Sequence, residues 1–89
     1  TILRFNRDHV GNKYSKILRA MGKDQSNDLA EEIEILNEAI GLPSGLKEMG
    51  ISEEMIPGLV AHSMTDPSNA TTPRLPSQEE WEKLFLDAM

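Results

Sequence analysis

In the segment DHVGNKYSKILRAMG, Val10, Tyr14, Ile17, Leu18 and Met21 recur at i, i+4, i+7, i+8 and i+11. That spacing puts them on one side of a helix and leaves Lys13, Lys16 and Arg19 largely on the other. With Asp8 able to cap the start and Gly22 the end, the pattern predicts a helix over 8–22. The next segment, SNDLAEEIEILNEAIGLPSG, repeats the arrangement and predicts a helix over 26–40 with Leu29, Ile33, Leu36 and Ile40 facing inward. Its stop is strong: Gly41 suits the left-handed position, Leu42 supplies the hydrophobic contact of a Schellman cap, and Pro43 prevents continuation. SGLKEMGI again ends in glycine followed by an apolar residue, which predicts a short helix over 44–49. Ser52 is expected to cap a helix over 53–64, with Glu53 and Glu54 at its positive end. Pro57 fits there if 53–56 form a loose first turn and the regular part begins near the proline. A last helix over 78–88 opens with a capping box, Ser77 and Glu80, and carries the stripe Trp81, Leu84, Phe85 and Ala88. Before it, DPSNATTPRLP reads as an extended polar loop pinned by prolines. No strand-like alternation of convincing length, repeat or low-complexity tract is present, so the fold class is all-α with four or five helices.

Length and charge narrow the picture. A chain of 89 residues buries only about 60–65% of the surface its unfolded form exposes, so its core must be thin. Without cysteine, neither a disulfide nor a thiolate zinc site can reinforce it; the composition fits a reducing compartment. No apolar run approaches a membrane span and no signal segment follows Thr1, so a cytoplasmic protein with no membrane partner is expected. Nine Lys and Arg against fifteen Asp and Glu, a net charge of -6, repel a phosphate backbone. Lys13, Lys16 and Arg19 read as a solvated face, and nucleic acid is not an expected partner.

Catalytic chemistry is sparse. His9 and His62 are too far apart for any short metal motif, and no H-E-x-x-H occurs. His62 and Asp66 could share a helix face only if the helix ran past Thr65, which Pro67 opposes; a capping or surface role is the plainer reading. The serines are cap candidates, and none sits in G-x-S-x-G. Glu31, Glu32, Glu34 and Glu38 fall mainly opposite the apolar stripe, as a solvent face. Read from its residues alone, the chain is a small acidic helical domain, an autonomous interaction module without catalysis.

Three features point beyond that: no initiator Met, an apolar and basic TILRFN outside the first capped helix, and stripes implying more buried area than such short helices can give one another. The chain resembles the C-terminal part of the iron-containing (group III) alcohol dehydrogenases. The stretches that carry the likeness are RFN at 4–6, KYSKILRAMG at 13–22, LPSGLKEMGISEEMIPGLVAHSM at 42–64 and DPSNATTPRLPSQEEW at 66–81. The resemblance implies the C-terminal portion of the dehydroquinate synthase-like helical domain. It also implies that a Rossmann-like domain binding NAD or NADP, and the Asp and three His that hold Fe²⁺ or another divalent metal, belong to an upstream part of the same polypeptide. Residues 1–89 are then expected to contain no catalytic, cofactor-binding or metal residue, and to be inactive alone. The whole enzyme would interconvert a small primary alcohol or diol and its aldehyde, with homo-oligomerisation allowed. In the family the loop before the last helix passes the metal and nicotinamide end of the cleft. The resemblance therefore makes Ser68, where some members have cysteine, a substrate-side lining residue. It makes Thr72, Pro73 and Arg74 structural loop residues, with Thr72 standing where the family prefers asparagine.

Overall fold

The computed structural model describes residues 1–89, and the chain divides into two compact units, Thr1–Ser44 and Gly45–Met89. Every regular element is helical: α1 (Ile2–Asn6), α2 (Lys13–Ala20), α3 (Leu29–Ala39), α4 (Ile56–Met64) and α5 (Gln78–Asp87), with short 3₁₀ turns between some of them. There is no strand.

In the first unit the expected helix over 8–22 is broken. Asp8 lies in a 3₁₀ turn, Arg7–His9, and caps nothing, while Gly11 takes φ +57°. A residue in that left-handed region cannot continue the right-handed hydrogen-bond ladder, so the ladder restarts at Lys13, with the Lys16 N–H donating to the Asn12 carbonyl at 3.2 Å. Residues 2–6, expected to lie outside the helices, instead form α1. It is fastened by Tyr14, whose hydroxyl donates to the Leu3 carbonyl at 2.9 Å, and by Arg4, which meets both carboxylate oxygens of Glu34 at 2.6 and 3.0 Å. A turn and a half of helix is too short to persist on its own propensity, so these tertiary bonds hold it.

The next helix starts at Leu29, not at 26, because Asp28 is its N-cap and accepts from the Ala30 N–H at 3.0 Å. Val10, Leu18, Leu29 and Ala30 are buried; Tyr14, Met21 and Ile33 are half-buried. Ile17, Leu36 and Ile40, expected to face inward, are exposed, Ile40 by 63%. The reason is length. Within this unit α3 packs against α1 and α2, which at 1.5 Å per residue are about 8 and 12 Å long against about 17 Å for α3, so only the first turns of α3 are covered.

The helix stops behave as the sequence dictates. Lys23, Leu42 and Ile51 each donate an N–H five residues back, to the carbonyls of Leu18, Asn37 and Leu46, across a glycine with positive φ.

In the second unit the expected helices over 44–49 and 53–64 become a 3₁₀ turn, Leu46–Met49, and a 3₁₀ turn, Glu53–Met55, leading into α4. Pro57 sits in the first turn of α4, where its missing N–H costs little. Ser52 occupies the cap position before Glu53, but its side chain makes no capping bond. α4 packs on α5, and Ile56 and Val60 of the one and Leu84 of the other are buried, while Trp81 stacks on Phe85 with ring centroids 6.1 Å apart. The capping box is complete: the Glu80 N–H donates to Ser77 Oγ at 3.2 Å, and the Ser77 N–H donates to Glu80 Oε2 at 2.9 Å.

Candidate functional site

The segment between α4 and α5 is not the extended loop its composition predicts. Pro67–Thr71 is a 3₁₀ turn. Asp66 caps it by accepting from the Ser68 N–H at 2.8 Å and also from the Ser68 hydroxyl. Pro67 supplies a first position that has no N–H to lose and a φ already near the helical value. The signal was in the sequence as Asp-Pro-Ser, a cap followed by a favoured first residue, and it was outweighed by the polar run around it. Asn69 anchors the turn to the end of α4 by donating from Nδ2 to the Ser63 carbonyl at 2.7 Å, and Thr71 Oγ1 donates to the Ser68 carbonyl at 3.0 Å.

Ser68 is exposed on this turn. Its hydroxyl proton is directed at Asp66, whose carboxyl the Ser68 side-chain and backbone hydrogen bonds hold below the usual carboxylate value. A carboxylate stabilised in this way is a poor proton acceptor at neutral pH, so the pair does not make an activated serine nucleophile. What Ser68 presents outward is a small polar edge with hydroxyl lone pairs to spare.

Beyond the turn, Thr72 Oγ1 donates to the Arg74 carbonyl at 3.3 Å, and Thr72 is half-buried while Pro73 is exposed. Arg74 reaches α5, where its Nη2 forms an ion pair with Glu80 Oε1. Thr72, Arg74 and the first turn of α5 thus share one hydrogen-bonded run, with Pro73 between the first two, while Ser68 belongs to the Asp66 turn. Glu80 thereby joins the capping box to the arginine. Its spacing of six from Arg74 matches no local motif, so only the folded turn shows the pairing.

The histidines stay apart from this segment's chemistry. His9 is exposed in the Arg7–His9 turn; His62 is exposed on α4, and the carboxylate of Asp66 is engaged with Ser68. No group of three His, Cys, Asp or Glu side chains converges to hold a metal ion, and these residues do not fit one. No helix is long and apolar enough to cross a membrane.

Comparison with known proteins supplies the context for this geometry. The family model for the C-terminal part of the Fe-containing alcohol dehydrogenases matches residues 1–89. The chain belongs to this family. It is 28% identical over 92 residues to 4-hydroxybutyrate dehydrogenase of Cupriavidus necator, a match that covers 99% of this chain and 24% of the relative. It is 30% identical over 95 residues to lactaldehyde reductase of Escherichia coli strain K12, covering 98% of this chain and 25% of that enzyme. The chain therefore spans about a quarter of the length of these relatives. No solved structure matches it. The all-helical architecture agrees with the C-terminal helical part of an Fe-containing alcohol dehydrogenase.

Proposed function

We propose that residues 1–89 are the C-terminal helical part of an NAD(P)-dependent, divalent-metal-dependent oxidoreductase of the cytoplasm that interconverts a small primary alcohol or diol and its aldehyde. The observation that carries this reading is the family match over all 89 residues. The two relatives support it, since one is named as a dehydrogenase of a primary alcohol and the other as a reductase of an aldehyde. A match of that extent also favours the enzyme over an autonomous interaction module.

Since these residues do not fit a metal and carry no phosphate-cradling strand, glycine turn and helix, both groups belong on this reading to the upstream part of the same polypeptide. The contribution of this chain is the wall of the substrate cleft. Ser68 offers a polar edge without reacting, and Thr72, Pro73 and Arg74 hold the wall in shape. The relatives' substrates differ in what lies beyond the reacting carbon, a carboxylate-bearing chain or a second hydroxyl, and on this reading that is the part of the molecule a polar wall residue would sense.

The test is to purify the intact polypeptide that carries this chain, load it with Fe²⁺ or Zn²⁺, and follow NADH or NADPH with 4-hydroxybutyrate, propane-1,2-diol and simple primary alcohols. Turnover of at least one of them is expected. A metal-loaded, folded protein inert toward all of these alcohols and their aldehydes would sink the proposal.

A further inference from the structure

We propose that Glu80 is a positioning residue that fixes the 66–76 segment through both oxygens of one carboxylate; its effect on substrate rests on the function proposed above. Oε2 accepts from the Ser77 N–H at 2.9 Å, and Oε1 takes the ion pair from Arg74 Nη2. The first contact ties Glu80 to the residue just after the segment, and the second reaches back three residues further. Between them they span Arg74–Ser77, a stretch containing Pro76, whose φ is already fixed.

Only a carboxylate meets both demands. Two donors converge on it from different sides, and an amide has a single acceptor oxygen and would turn its NH₂ toward one of them. Its negative charge also suits the positive end of a ten-residue helix, so the side chain is held at its root as well as its tip. At the other end of the segment, Asn69 is bound to the Ser63 carbonyl and Asp66 to Ser68. The segment is therefore pinned to α4 at one end and to α5 at the other. Removing the α5 pin should let Thr72–Pro76 move while both helices remain.

Glu80→Gln and Arg74→Gln test this in the intact polypeptide, beside Ser77→Ala. The alanine variant removes the hydroxyl cap and weakens α5, but leaves the Ser77 N–H and both contacts of the Glu80 carboxylate in place. One readout needs no activity: the rate at which trypsin cuts after residue 74, followed by mass, which Glu80→Gln should raise on the order of tenfold while Ser77→Ala leaves it near wild type. The second is kinetic. In Glu80→Gln and Arg74→Gln, kcat/KM for the alcohol should fall about 10- to 100-fold, because a small displacement of a cleft wall is felt directly at the reacting carbon. Cofactor affinity and bound metal should be unchanged, and the double variant should lose less than the two single losses multiplied together, since both substitutions cut the Arg74–Glu80 ion pair.

Cleavage that stays at the wild-type rate in Glu80→Gln, or that rises equally in Ser77→Ala, overturns the role. Faster cleavage with unchanged kcat/KM overturns its bearing on substrate. A wild-type polypeptide that is itself inert toward alcohols and aldehydes would instead sink the functional reading, and the trypsin ratio would still decide whether Glu80 fixes the segment.

Discussion

Asp66 shows how much one side chain can organise. It stops being a neighbour of His62 and becomes the cap of a turn, accepting twice from Ser68. Because those bonds hold its carboxyl below the ordinary 3.8, the stabilisation is complete above that value and is lost as pH falls through the lower, folded-state value. The Ser68 amide resonance, followed from about pH 6 down to about pH 2, should titrate with a midpoint below 3.8; a midpoint at or above it would show that the bonds do not favour the charged form. Trp81 is a second residue-scale case. It is half-buried, stacked on Phe85 and next to the buried Leu84, but its indole N–H is buried without a hydrogen-bond partner. Trp81→Ala should cost about 2–4 kcal/mol in denaturant unfolding, at or below the range for a fully buried aromatic. Trp81→Phe keeps a ring on Phe85 and removes the unpaired donor, so its cost should be below about 1.5 kcal/mol. If the two variants lost equal stability, the ring contact would not be what holds α5.

At the level of elements, the helix stops and the Ser77 capping box were legible, whereas the expected caps at Asp8 and Ser52 and the break at Gly11 were not. Gly41 with Leu42 and Pro43, and Ser77 with Glu80, are local signals read over a few residues, and both formed as the sequence implies. Gly11 lies inside an apolar stripe that runs on either side of it, and the stripe hides the break. Gly45 is a different case. Its backbone is extended, which any residue adopts, but a Cβ there would fall 2.5 Å from the Met89 carbonyl oxygen. That closeness arises because the Leu46 N–H donates to the Ala88 carbonyl at 2.8 Å and the Lys47 N–H to that of Met89 at 3.3 Å, joining the start of the second unit to the end of α5. Gly45→Ala should therefore destabilise by about 1–3 kcal/mol. An alanine variant with an unchanged thermal midpoint would show that the end of the chain yields freely.

On the scale of the whole molecule, Ile35, Leu36, Ile40 and Leu42 lie exposed on and just after the second half of α3, and no three metal-ligating side chains meet anywhere. The isolated 89-residue chain should bind neither a nicotinamide cofactor nor Fe²⁺ or Zn²⁺ in a one-to-one site, and should not oxidise alcohols. Calorimetry against a His9→Ala/His62→Ala double variant separates weak adsorption on an acidic surface from a true site. Tight stoichiometric binding abolished in that variant would overturn the assignment of the metal and cofactor to upstream residues. The sequence by itself determined the helical class, the helix stops, the capping box and the resemblance to the Fe-containing alcohol dehydrogenases, because each of these is written in residues close together in the chain. Only the tertiary structure decided that Leu36 and Ile40 stay uncovered, that TILRFN becomes a helix, and that Glu80 holds Arg74. A stripe specifies which face is apolar and not how long its neighbours are, and a contact across six or thirty residues exists only once the backbone has brought its two ends together.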